Sequence, residues 1–185
     1  MSQQEILIDV ITKLENLNIQ YMLTGSTVTS ILGEPRSTHD IDIIISINEK
    51  DIKILFDTLH SERFYCDFDS IKDSLSNHSM FNLIDTKSGD KVDFWILTDE
   101  SFDKSRFSRK KQILIFNKYI YITSIEDTIL MKLKWCKECN GSQKHYIDAL
   151  RVYEINKDII DFDYLNKWAK NLKISDLLDK IYKSQ

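Results

Sequence analysis

The chain has 185 residues, of which 42% are hydrophobic and 29% charged, with a formal net charge of −4. This is the composition of an ordinary globular protein, and the length suits one domain, or one domain with a small appendage, able to bury about 70% of its unfolded surface. It gives no general nucleic-acid signature, and no apolar run approaches the ~20 residues of a membrane span. The start, MSQQEILIDVI, lacks the basic stretch and small-residue cleavage site of a signal peptide. Three cysteines cannot all pair, which points to a reducing, cytoplasmic setting.

Ile6, Leu7, Val10, Ile11, Leu14 and Leu17 recur at helical spacing and predict an amphipathic helix over residues 3–17, stopped near Asn18. Residues 21–47 then read as strand, Gly25-Ser26 turn, short helix from Thr27 to Leu32, polar loop and strand. Glycine permits a turn that a bulkier residue resists, and Gly33 and Pro35 close the helix. A second helix is predicted over 49–60 from Ile52, Leu55, Phe56 and Leu59, a short strand over 64–68, and a helical turn over 70–76. Two strand-like runs, 80–86 and 91–97, flank the hairpin signal Lys87-Ser88-Gly89-Asp90.

The locally basic segment Lys104–Lys111 reads either as a surface that tracks an RNA backbone or as a solvated loop. Residues 113–116 and 119–122 form a second hairpin with Asn117-Lys118 at its turn. Beyond residue 123 the period is helical. Ser124 with Asp127 opens one helix in a capping-box-like way, and three more follow around Tyr146–Tyr153, Tyr164–Leu172 and Leu177–Ile181. The expected architecture is a mixed β-sheet flanked by helices (residues 1–123), followed by a C-terminal helical subdomain (residues 124–185).

Asp40 and Asp42 stand two apart in a hydrophobic strand and therefore share one face. Like charges so close repel, and hard, oxygen-seeking Mg²⁺ is the usual remedy. Asp93 adds a third carboxylate if its strand lies beside that of Asp40 and Asp42. Three such carboxylates can hold two Mg²⁺ ions about 3.5–4 Å apart, an arrangement suited to in-line displacement at phosphorus. Gly25 and Ser26, opening a helix, direct backbone N–H groups at an anion such as the β,γ-phosphates of a nucleotide. In this scheme Asp93 also takes the proton of an acceptor hydroxyl.

Gly25-Ser26, Arg36-x-Thr38-x-Asp40-x-Asp42 and Lys91-Val92-Asp93 resemble the nucleotidyltransferase superfamily related to DNA polymerase β. The segments 80–85 leading into KVDFW, 124–127 leading to Lys132, and 142–150 are similar to small prokaryotic nucleotidyltransferase-like proteins related to AbiEii-type toxins, and the likeness runs through the tail DYLNKWAKNLKISDLL. The resemblance implies a nucleotidyltransferase fold and transfer of a nucleoside monophosphate from an NTP to an acceptor hydroxyl on tRNA, a protein or a small molecule. It further implies nucleotide-binding roles for Lys132 and Asp148, and an antitoxin as partner. Arg36 is a phosphate-binding candidate just before the carboxylate strand. Where the toxin pattern has an arginine before its aspartate, this chain has Lys144, a point charge rather than a planar fork. That departure motivates a second reading, a module that binds nucleotide or a partner without turnover. A two-metal nuclease would use the same acids but has no need of the Gly-Ser turn. Cys136-x-x-Cys139 lacks the further ligands of a zinc site.

Overall fold

The computed structural model describes residues 1–35 and 40–184. These separate into two compact units. The first runs from Met1 to Thr27 and holds every described strand through Ile122; the second holds residues from Val28 in one helix together with the chain from Thr123 onward.

In the first unit, α1 (Gln3–Asn16) opens on a capping box in which Ser2 and Glu5 satisfy each other's backbone N–H groups. It buries Ile6, Leu7, Val10, Ile11 and Leu14, the stripe read from the sequence. The strands β1 (Gln20–Thr24), β2 (Asp40–Ser46), β3 (Phe64–Tyr65), β4 (Met80–Asp85), β5 (Lys91–Ile96), β6 (Lys111–Ile115) and β7 (Lys118–Ile122) form a seven-stranded sheet in the order β3-β4-β5-β2-β1-β7-β6. It is mixed, as expected: β2 pairs antiparallel with β1 and parallel with β5. β2 is central and carries an almost continuous apolar run, since Ile41, Ile43, Ile44 and Ile45 are all buried. Phe81 and Phe94 stack across the β4–β5 pair with ring centroids 4.9 Å apart. The helices α3 (Glu49–Leu59) and α4 (Phe68–Asn77) pack against each other, and α4 also packs on β4 and β5.

Three local expectations change. The helical turn at 70–76 is a full ten-residue helix, α4, capped by the Asp67 side chain on the Ser70 N–H. The turn between β6 and β7 falls on Phe116-Asn117, one residue earlier than expected, and both residues have positive φ (50° and 62°). This is what a two-residue hairpin of matching twist demands. The basic segment is largely helical, α5 (Ser101–Ser108), rather than a solvated loop. Three of its charges are engaged: Lys104 pairs with Asp99 at 2.7 Å, Arg106 with Asp103 at 2.8 Å, and the Lys110 ammonium lies 3.9 Å from the Phe107 ring centroid. Burial there pulls the Lys110 pKa down.

The second unit comprises the C-terminal part of α2 (Gly25–Leu32), with α6 (Ile125–Glu138), α7 (Gln143–Asn156), α8 (Phe162–Asn171) and α9 (Ser175–Lys183). α6 is buried nearly all round, polar residues included. Asp127 has no exposed surface; it accepts hydrogen bonds from the Ser124 hydroxyl at 2.8 Å and the Tyr164 hydroxyl at 2.7 Å, while Glu126 accepts the Asp161 N–H at 3.0 Å. The Asn156 amide donates to the carbonyls of both Leu32 and Val152, which ties α2 to α7.

Arg63 offers a test of the first unit. Its guanidinium donates two bonds to Asp85 Oδ2, at 3.0 and 2.6 Å, and holds that carboxyl down to about 2. A depressed carboxyl pKa contributes stability that is complete above the ordinary value of about 3.9 and is lost as pH falls through the folded value. Arg63→Ala is therefore expected to lower stability at neutral pH and to move the acid-unfolding midpoint to higher pH. Circular dichroism from pH 7 downward checks this.

Candidate active site

Strand parity and register build the site. Asp40 and Asp42 are two apart on β2 and share a face, and parallel pairing with β5 sets Asp40 opposite Lys91 and Asp42 opposite Asp93. The three expected carboxylates are thus neighbours on one face of two adjacent strands. The opposite face is apolar: Ile41, Ile43, Val92 and Phe94 are buried there. Further along β2 the carboxylate face continues into Ile44, which packs with Met22 and Phe107. The acids therefore sit at the polar end of a ridge whose other end is core.

Each acid has fixed company. The Asn82 amide on β4 donates to Asp93 Oδ1 across the antiparallel β4–β5 pair. The Trp95 indole N–H donates to Asp42 Oδ1 at 3.3 Å. The Lys91 ammonium lies 3.5 Å from Asp40 Oδ1 and 3.7 Å from Asp93 Oδ1. Asp40 is about half exposed and Asp93 nearly buried. Asn82, Lys91 and Trp95 were given no site role from the sequence, although Lys91 stands in the motif that carries the resemblance. Lys91 and Trp95 were findable by the same alternation that exposed Asp93, whereas Asn82 required the β4–β5 register.

Gly25 is the first residue of α2, not a turn preceding it. It has φ +69°, and a Cβ there would fall 2.0 Å from Asp42 Oδ2 and 2.8 Å from Asp42 Cβ. Backbone and carboxylate meet so closely that only glycine fits, on both steric and conformational grounds. Ser26 follows in the first helical turn, half-buried, and the Thr27 hydroxyl donates to the Asp40 carbonyl at 3.4 Å, linking the helix start to β2. Arg36, together with Thr38 and His39, lies outside the described residues.

The other two expected residues belong to the second unit. Lys132 is 2% and Asp148 7% exposed, and their side chains meet at 2.7 Å. Neither is the solvated helix charge that an isolated lysine or aspartate usually is. Asp148 also lines a cavity of about 250 Å³ with Thr29, Glu34, Pro35, Ile147 and Arg151. Cys136 is buried and Cys139 exposed, both as free thiols.

Among the described residues, no group of three carboxylate, imidazole or thiolate side chains converges as a ready-made metal cage. Mg²⁺ seldom uses one; it is held by one or two carboxylates, with phosphates and waters completing the shell. One observation fits a hard cation at the β2–β5 acids: the donor set there is all oxygen.

No family model matches the chain. Among curated proteins it is similar to ankyrin repeat protein B18 of variola virus, 23% identical over 222 aligned residues and covering 94% of this chain and 39% of that protein. It is likewise 24% identical to ankyrin repeat protein B19 of vaccinia virus (strain Western Reserve) over 223 aligned residues, with the same two coverages. The chain thus spans 39% of the length of the curated relatives it matches. Ankyrin repeats are stacked helix pairs joined by β-turns, an architecture unlike the seven-stranded sheet here.

The solved structures speak to the fold. The chain superposes on ANT(2″)-Ia in complex with adenylyl-2″-tobramycin with a TM-score of 0.61 at 12% identity, covering 94% of this chain and 98% of that one. An antigenic nucleotidyltransferase-like protein from Paracoccidioides brasiliensis gives 0.58 at 17% identity, with coverages of 98% and 93%. The lincosamide antibiotic adenylyltransferase LnuA, lincomycin-bound, gives 0.55 at 13% identity, with coverages of 84% and 98%. The protein has the nucleotidyltransferase fold.

The Gly25 contact generates a paired prediction. Gly25→Ala and Gly89→Ala both place a side chain at positive φ, but nothing lies within 4 Å of a Cβ at Gly89. Gly89→Ala is expected to cost about 1 kcal/mol from the backbone alone. Gly25→Ala should cost about 2–4 kcal/mol, because the clash adds to the backbone term. Urea denaturation of the two variants measures the difference.

Proposed function

We propose that the protein is a Mg²⁺-dependent nucleotidyltransferase that moves a nucleoside monophosphate from an NTP to an acceptor hydroxyl. The observation that carries this reading is the Asp42–Asp93 register on parallel strands, with Gly25 of α2 packed against the Asp42 carboxylate. A helix start attracts a phosphate, and a carboxylate pair attracts the cation that travels with it. Finding both at one place in the fold suits a metal-bound triphosphate better than either ligand alone.

In this reading Asp40, Asp42 and Asp93 hold the metal. Bound there, Mg²⁺ would offset charge on the phosphate oxygens and lower the pKa of the acceptor hydroxyl. Gly25 and Ser26 offer backbone N–H groups to the triphosphate, with Arg36 as a further phosphate contact. Asp93, its Oδ1 fixed by the Asn82 amide, accepts the proton of the attacking hydroxyl. The acceptor oxygen then bonds to the α-phosphorus as the bond to the pyrophosphate oxygen breaks, and pyrophosphate leaves. Lys132 and Asp148 are retained as the nucleotide-binding pair of the second unit, Asp148 anchoring the ammonium.

The neighbours named for adenylyl-tobramycin and lincomycin favour a small hydroxylated molecule as acceptor over tRNA or a protein. A toxin role with a neighbouring antitoxin rests on the resemblance alone. One observation favours the non-catalytic module: a cation, the Lys91 ammonium, already stands at two of the acids.

Calorimetric titration with each NTP, with and without Mg²⁺, tests the proposal. The expected outcome is Mg²⁺-dependent binding, weakened at least about tenfold, or 1.4 kcal/mol, in Asp40→Asn/Asp42→Asn. With α-labelled NTP, label should pass to an acceptor pool. Binding without transfer to any pool would favour the module, and no binding of any NTP would overturn the reading.

A further inference from the structure

Lys91 has no part in the scheme above, yet its ammonium lies beside two of the acids. It lies on β5 two residues before Asp93 and pairs in register with Asp40, so parity delivers its side chain to the carboxylate face. Its ammonium is 3.5 Å from Asp40 Oδ1 and 3.7 Å from Asp93 Oδ1. Both separations exceed the roughly 2.7–2.9 Å of a directed charge-assisted bond. The ammonium is therefore held between two charges rather than locked to either. With 43% of the side chain exposed, it has room to swing into solvent. A compact point charge on a flexible four-carbon stem does here, at half the charge, what a divalent ion would do.

We infer that Lys91 is a tethered counter-ion of the carboxylate site, which a divalent ion must displace, so that the site takes up metal together with nucleotide and resists metal alone. This rests on the nucleotidyl-transfer reading. A divalent ion arriving by itself meets the repulsion of the ammonium at a separation of a few ångströms, where a unit charge still counts strongly. The same ion arriving on a triphosphate brings its own negative charge. That charge screens the repulsion and gives the displaced ammonium an anion to face. Lys91 thus acts as a positioning and gating residue: it keeps the acids neutralised and in place while the site is empty, and it makes metal entry conditional on substrate.

The test uses the full chain, Mn²⁺ as the probe, and the electron paramagnetic resonance signal of the free ion. Lys91→Met keeps the length of the side chain and removes its charge; Lys91→Arg keeps the charge. Without nucleotide, Lys91→Met is expected to bind Mn²⁺ about tenfold tighter than wild type, with Lys91→Arg close to wild type. The gap should narrow when a non-hydrolysable ATP analogue is added. Lys91→Gln replaces the Met variant if circular dichroism shows that the latter does not fold. Equal or weaker Mn²⁺ binding by the neutral variants, with binding still abolished by Asp42→Asn, would overturn the counter-ion role while leaving the nucleotidyl-transfer reading in place. If neither wild type nor variant takes up Mn²⁺ in a way that Asp42→Asn abolishes, with or without the analogue, both fall together.

Discussion

Three carboxylates on one face of two hydrogen-bonded strands repel one another, and much of the first unit is arranged around that repulsion. β2 and β5 bring the acids together because their other face is apolar and buried, which fixes the register and leaves the polar side chains no alternative face. The surrounding groups then hold each carboxylate. Asn82 donates to Asp93, Trp95 donates to Asp42, and Lys91 supplies positive charge between Asp40 and Asp93. Gly25 completes the frame by bringing the start of a helix into contact with the Asp42 carboxylate, at a distance that excludes any side chain.

Much of this was legible in the sequence, because alternation in strands and the 3.6-residue period in helices are local properties. The DIDIII run, the KVDFW run, the Gln3–Asn16 helix and the helical second half all emerge where the pattern places them. What escaped depends on partners remote in the chain. α5 was hidden because its charges pair within and beside the helix and its apolar content is small. The β6–β7 turn was displaced by one residue because Phe116 is a poor turn former by type, yet it adopts the positive φ that the hairpin twist imposes.

The site divides in the same way. Asp40, Asp42 and Asp93 could be placed on one face from parity plus a guess of adjacency. Lys91 and Trp95 share the parity of Asp93, whereas Asn82 follows only once strand order and register are known. Lys132 and Asp148 look like solvated helix charges one at a time; only the packing of α6 on α7 makes them a buried pair. The fold neighbours add that proteins with this architecture include adenylyltransferases.

The most direct test of the central claim is a crystal structure of the full chain with Mn²⁺ and a non-hydrolysable NTP, phased to show the anomalous signal of manganese. The expected result is a manganese peak within coordinating distance of Asp42 and Asp93, triphosphate oxygens at the Gly25–Ser26 helix start, and the Lys91 ammonium moved off Asp40 and Asp93. Manganese bound elsewhere, or nucleotide bound with Lys91 still bridging the two carboxylates and no metal beside them, would contradict it.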